Sequence, residues 1–187
     1  MNLAEKCVAV FCGSSEGVSP EYKYGIIELG HQLAESGYKV VCGGASVGLM
    51  GALAKSVAEK GGNIVGVLPR FLTTIEPPSP YLTKTILVET MAQRKDVMLE
   101  MADDVLIMPG GFGSLDEAFE AITMKQLEER TGRNIFVSID GFWKPLQDLV
   151  LHLEREGFVI LKGRDTLHFT QTVNETVKLI MFDRHLT

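Results

Sequence analysis

Two places in the sequence set ionisable side chains where a purely structural chain would not need them. Met91, Met98 and Ala102 recur at helical spacing, and Arg94 and Lys95 follow Met91 by three and four residues, on the same stripe. A long cation at a helix edge can keep its head in water. Two cations on a core-facing stripe break the local rule, however, and such breaks tend to mark sites. The planar fork of Arg94 suits phosphate and hydroxyl recognition. The second place is Glu117, which closes the run Pro109-Gly110-Gly111-Phe112-Gly113-Ser114-Leu115-Asp116-Glu117.

Glycine lets a backbone approach an anion closely, and the free N–H groups and dipole of a helix N-terminus favour that anion. Three such segments occur: Cys12–Ser15, Gly43–Gly48 and Pro109–Ser114. The last has a buried-strand pattern before it and a helix after it. It fits neither a dinucleotide fingerprint nor a P-loop, since no G-x-G-x-x-G and no Gly-Lys-Ser/Thr triplet is present. A monophosphate is the natural ligand. Ser114-x-x-Glu117 also has the spacing of a capping box, with Ser114 as N-cap and Glu117 reaching back to it. Against that reading, Asp116 and Glu117 put two carboxylates beside a phosphate cradle, where they repel the ligand; a carboxylate there makes sense if it acts on the sugar. Glycosidic cleavage passes through an oxocarbenium-like state, which a carboxylate stabilises while it orients or activates water. Arg94 then either holds Glu117 ionised or binds ribose and phosphate.

These groups need a scaffold that gathers loops at one edge. Strand-like apolar runs are expected at Cys7–Cys12, Tyr38–Cys42, Asn63–Leu68, Thr85–Val88, Asp104–Met108 and Asn134–Ile139. Helices are expected from Pro20 to a cap at Gly37, and at Gly48–Lys60, Met91–Met101, Leu115–Glu129, Phe142–Glu156 and Gln171–Phe182. Continuous apolar strands alternating with helices indicate a parallel sheet buried on both faces. The fold class is α/β, a three-layer Rossmann-like fold with a parallel sheet flanked by helices, as one domain over residues 1–187. Ligands of such sheets bind at the carboxyl ends of the strands. The proline-rich segment Arg70–Lys84 is the one long irregular stretch, a candidate lid.

Composition narrows the function classes. The chain has 187 residues and a net charge of −6, with no basic stripe for nucleic acid. No apolar run approaches the roughly 20 residues of a membrane span, and the N-terminal stretch lacks the features of a signal peptide. A cytoplasmic location is expected. Cys7, Cys12 and Cys42 read as reduced core thiols. His31, His152, His168 and His185 show no metal spacing, and no metal site is expected. Trp143 and Tyr81 are weak candidates for base stacking.

The run Pro109 to Glu117 resembles the PGGxGTxxE motif of the LOG (LONELY GUY) family. Its members are cytokinin riboside 5′-monophosphate phosphoribohydrolases, labelled lysine decarboxylases in older usage. Gly43-Gly44 through Gly48-Leu49-Met50-Gly51 resembles that family's second glycine loop, and Arg94-Lys95 its Arg-Lys helix; the blocks match in order from about Val8 to Phe158. The resemblance implies a homodimer and no organic cofactor, with Arg94 and Glu117 as the catalytic pair. It implies that Gly110, Gly111, Phe112, Gly113 and Ser114 bind the 5′-phosphate, that Ser14, Ser15 and Gly44 line the nucleotide site, and that Met91 and Lys95 adjoin it. Ser114 stands for the usual Thr and keeps the hydroxyl. Ala92-Gln93 stands for His-Glu, and Met124 for a frequent aromatic. These departures bear on the base, so AMP and N6-prenyl-AMP are both candidate substrates. The chief alternative is a non-catalytic nucleotide-binding or carrier module of the same fold. Decarboxylation would need pyridoxal phosphate on a Schiff-base lysine, and Lys95 is the nearest candidate.

Overall fold

The computed structural model describes residues 6–159 and 167–182; His185 lies outside them. The strands are β1 (Cys7–Phe11), β2 (Lys39–Cys42), β3 (Ile64–Pro69), β4 (Lys84–Val88), β5 (Asp104–Ile107), β6 (Asn134–Val137) and β7 (His168–Thr170). They form one sheet in the order β4-β3-β2-β1-β5-β6-β7. Every pairing is parallel; Val8, for example, is in register with Val40 on one side and Asp104 on the other. The helices are α1 (Pro20–Glu35), α2 (Gly48–Glu59), α3 (Met91–Met101), α4 (Phe112–Gln126), α5 (Lys144–Arg155) and α6 (Val173–Met181).

Side chains of successive strand residues enter opposite layers. Val8, Val10, Val40, Cys42 and Leu106 pack with Ile26 and Leu29 of α1, Leu53 and Val57 of α2, and Val177 of α6. Ala9, Phe11, Val41, Val105 and Ile107 pack with Met98 and Leu99 of α3 and Ala118 and Ala121 of α4. The central strands β1, β2, β3 and β5 are largely apolar because both faces are covered, whereas the edge strand β4 is mostly exposed. Each fully buried Val, Leu or Ile contributes about 1.5–3 kcal/mol to that cohesion.

The chain order reverses between β1 and β5, so their carboxyl ends splay into a crevice, the usual ligand position in open α/β sheets. The Gly13 N–H donates to the Pro109 carbonyl at 3.1 Å across it, and the Leu49 N–H donates to the Gly13 carbonyl at 3.2 Å. All three small-residue loops therefore meet at one edge.

Four expectations shift. α4 begins at Phe112, ahead of Leu115, because Gly111 takes the extended N-cap conformation. It stops at Gln126, with Glu128 at φ 62 beyond it. α5 starts at Lys144 rather than Phe142, after a 3-10 turn in which Asp140 (φ 52) and Gly141 (φ 71) interrupt helical backbone. β7 was not expected; its three residues are too short a run to stand out. Finally, Arg70–Lys84 is not a free lid. Its middle is fastened to the second glycine loop by the Ala45–Pro78 bridge, Ser46 N–H to the Pro77 carbonyl (3.0 Å) and Ser79 N–H to the Gly44 carbonyl (2.9 Å).

Candidate active site

The starting residue of α4 changes the meaning of Glu117. With Gly111 as N-cap, Ser114 lies in the first turn, and no side chain caps the helix. The capping-box alternative therefore fails, since Glu117 lies a full turn too deep to reach the N-cap amide. The buried residues of α4 are Ser114, Glu117, Ala118 and Ala121, an i, i+3, i+4, i+7 stripe facing the sheet. Glu117 is thus a carboxylate on a core stripe, 6% exposed.

α3 brings its partner. Thr90 caps that helix by accepting from the Gln93 N–H, and the Gln93 Oε1 accepts from the Glu89 N–H. Gln93 is therefore spent on the helix start, not on a ligand. One turn later Arg94 Nη2 stands 3.4 Å from Glu117 Oε1, with Arg94 11% exposed. The remaining Arg94 contacts are poor: Nη1 meets the Met91 thioether at 3.8 Å, and the buried Nε has no hydrogen-bond partner. Gly43 makes room for this guanidinium, since a Cβ there would lie 2.0 Å from Arg94 Nη2.

Burial pushes the Glu117 carboxyl up to about 7, against the opposing pull of Arg94, with Asp116 and Glu120 adding to the rise and Lys95 opposing it. A carboxyl poised there can accept or release a proton at neutral pH. The thiols of Cys12 and Cys42 lie within electrostatic reach of it. Burial raises the Cys12 thiol well above its ordinary range and Cys42 to about 11, so both stay protonated. They are free core cysteines, as expected.

The expected phosphate loop keeps an open face. The Phe112, Gly113 and Ser114 amides occupy the first turn of an uncapped helix, and nothing lies within 4 Å of a Cβ built at Gly111 or Gly113. Ser114 is buried below, and Phe112 is 92% exposed. Ser14 and Ser15 are exposed beside it. Gly48 (φ 58) touches the Ser14 backbone so closely that a Cβ would come within 2.3 Å. A cleft of about 230 Å³ opens here between Gly13, Ser15, Leu49, Gly110 and Gly111, with Tyr22 and Phe142 also lining it. Arg94 and Glu117 do not line that cleft.

Several expected residues take other parts. Gly44 (φ 77) is buried against Gly66 and Leu68 and holds the Ser79 amide rather than facing open space. Lys95 is paired with Asp116 at 3.0 Å and with Glu120. Burial lowers its pKa, but hydrogen bonds to Glu120 and Asp116 outweigh that and raise it. A Schiff-base lysine needs the opposite environment. Trp143 is buried, donates to the Ile107 carbonyl at 3.2 Å and packs edge-on with Phe136 and Phe142, so it serves the core. Tyr81 is half exposed near Ser46 and Gly48. Sequence reasoning placed Asp116 beside Glu117 but missed Gly43, Cys12, Cys42 and Glu120 as neighbours of the pair; the i, i+4 spacing of Asp116 and Glu120 around Glu117 was the available signal for the last.

Among the described residues no helix is long and apolar enough to cross a membrane. The model of a family described as possible lysine decarboxylase matches residues 50–180. A cytokinin riboside 5′-monophosphate phosphoribohydrolase of Arabidopsis thaliana (LOG2) is 38% identical over 157 residues, which is 84% of this chain and 74% of that protein. The enzyme of the same name from Rhodococcoides fascians is 36% identical over 82% of this chain and 78% of its own. The Moco carrier protein of Chlamydomonas reinhardtii shares the fold, with a TM-score of 0.75 at 18% identity over 98% of this chain and 99% of that one. With sequence relatives at this level over most of its length, the chain belongs to the LOG family.

Proposed function

We propose that this protein hydrolyses the N-glycosidic bond of a nucleoside 5′-monophosphate, AMP or its N6-prenyl form, to free base and ribose 5-phosphate. The buried Arg94–Glu117 pair beside an uncapped helix N-terminus carries the reading. The first-turn amides of α4, from Phe112 to Ser114, hold the 5′-phosphate with Ser14 and Ser15, and Met91 adjoins the site. No side chain caps that terminus, so the phosphate takes the place of a cap. Glu117 faces the anomeric carbon as an anion, stabilises the oxocarbenium-like state and takes a proton from the attacking water. The C1′–N bond breaks with its electron pair passing to the base, the water oxygen bonds to C1′, and the proton that Glu117 took from the water passes to the departing base, which restores the carboxylate. Arg94 keeps Glu117 ionised at the moment of charge development.

The proposed protein is a homodimer. Along α4, Phe112 and Phe119 are exposed at 92% and 44%, one heptad apart, and an apolar stripe of this kind is suited to a partner copy. The relatives named above act on cytokinin riboside 5′-monophosphates, and the same chemistry is assigned to this chain. The test is release of base and ribose 5-phosphate from AMP and N6-prenyl-AMP, with Glu117→Gln alongside. Turnover that collapses in the variant is expected. Tight binding of AMP without turnover in the parent overturns the reading in favour of a nucleotide-binding module.

A further inference from the structure

Lys95 was expected to adjoin the nucleotide, and its surroundings assign it elsewhere. Its side chain is 14% exposed, and its Nζ lies 3.0 Å from Asp116 Oδ2 and in contact with Glu120 Oε2. Asp116 and Glu120 are an i, i+4 pair on α4, and Glu117 lies between them in sequence. α3 therefore presents two adjacent cations to three carboxylates of α4: Arg94 to Glu117, and Lys95 to the other two. An incoming phosphate that approached Lys95 would meet both of those anions.

We propose that Lys95 is a positioning residue for Glu117: it pins α4 to α3 through Asp116 and Glu120 and shields the reacting carboxylate from those two flanking anions. The proposal rests on the hydrolase reading for its kinetic consequence, though not for its electrostatic one. The charged and titratable groups around Glu117 are Arg94 and Lys95 from α3, Asp116 and Glu120 from its own helix, and the Cys12 and Cys42 thiols from the strand ends. The thiols remain neutral, so the balance is between two cations and two flanking anions. Removing Lys95 leaves Arg94 alone against both, and Glu117 then holds its proton to higher pH.

The experiment compares the parent with Lys95→Met, Lys95→Arg, and Lys95→Met combined with Asp116→Asn and Glu120→Gln. One readout is the acid limb of kcat/KM for AMP. The other is titration of the Glu117 carboxyl by 13C NMR in the free protein, assigned through its absence in Glu117→Gln. Lys95→Met is expected to move both midpoints upward by about one pH unit. Lys95→Arg is expected to restore them, and so is the triple variant, which has lost the anions along with the cation. An unmoved NMR midpoint in Lys95→Met overturns the proposal. So does a rise in KM that the triple variant fails to reverse, which marks a phosphate ligand. If the parent turns nothing over, the hydrolase reading fails by itself, and the NMR midpoint still decides the role of Lys95.

Discussion

Two buried arginine–carboxylate pairs stand at opposite ends of the sheet, and they are built differently. At the amino ends of the strands, Arg133 grips Asp104 with two parallel contacts, Nε to Oδ1 at 3.0 Å and Nη2 to Oδ2 at 2.9 Å. Its backbone N–H also donates to Asp104 Oδ1 at 2.8 Å, and its Nη1 to the Leu179 carbonyl at 2.8 Å. At the carboxyl ends, Arg94 and Glu117 share one contact of 3.4 Å, and the Arg94 Nε is buried without a partner. A fork satisfied on every prong fixes β5, β6 and α6 together. A buried fork with donors to spare carries the desolvation cost without the compensation. A buried polar atom left without a partner is rare in a native fold, which sets this pair apart from the first.

The largest expected difference is in activity. Glu117→Gln should lower kcat for AMP hydrolysis by about a thousandfold, roughly 4 kcal/mol of barrier, with the fold intact by circular dichroism. Arg133→Met should do the reverse. It strands Asp104, 6% exposed, and should lower unfolding free energy by about 3–5 kcal/mol, read by urea denaturation, while kcat per folded molecule stays within a few fold. If Arg133→Met abolished turnover in folded protein, the division between a structural and a functional pair would be wrong.

The same contrast has a pH dependence. The Glu117 carboxyl moves from an ordinary 4.5 to about 7 in the folded state, chiefly through burial. The native state therefore binds more protons than the unfolded chain across that window, and stability falls as pH rises through it. The full shift corresponds to up to about 3 kcal/mol, fully lost above pH 7. Glu117→Gln should flatten the profile and raise Tm at pH 8 relative to the parent, trading function for stability. Equal slopes for parent and variant between pH 5 and 7.5, measured by thermal melts, would contradict a buried, uncompensated carboxylate.

Much of this was legible in the sequence because it depends on periodicity. Continuous apolar strands between helices indicate a parallel sheet, and Arg94-Lys95 on the stripe of Met91 and Met98 marks the cations as misplaced. What sequence did not resolve is the register of a glycine-rich junction. Pro109–Ser114 permits helix from Phe112 or from Leu115, since glycine conformation is decided by what surrounds it. That choice decides whether Glu117 caps a helix or faces the core. Contacts between elements were also hidden. Lys95 and Arg94 are neighbours in sequence with the same charge, yet α4 offers one a pair of exposed or half-buried carboxylates and the other a buried one.

The smallest expected effect tests how tightly the second pair depends on backbone placement. A methyl group at Gly43 would overlap Arg94 Nη2 at 2.0 Å and crowd Met50 Sδ at 2.8 Å. Both belong to side chains that can move, so Gly43→Ala should fold with nearly unchanged stability. The guanidinium must nonetheless shift by an ångström or more, lengthening a contact that is already 3.4 Å. Misplacement of that size should cost about tenfold in kcat, roughly 1.4 kcal/mol. It should also raise the pH at which Glu117 loses its proton, because the opposing pull of Arg94 weakens with distance. At Arg133, by contrast, each of the three guanidinium nitrogens already donates to an acceptor. Full activity in Gly43→Ala would show that Arg94 reaches the substrate by another path and that its contact with Glu117 is incidental.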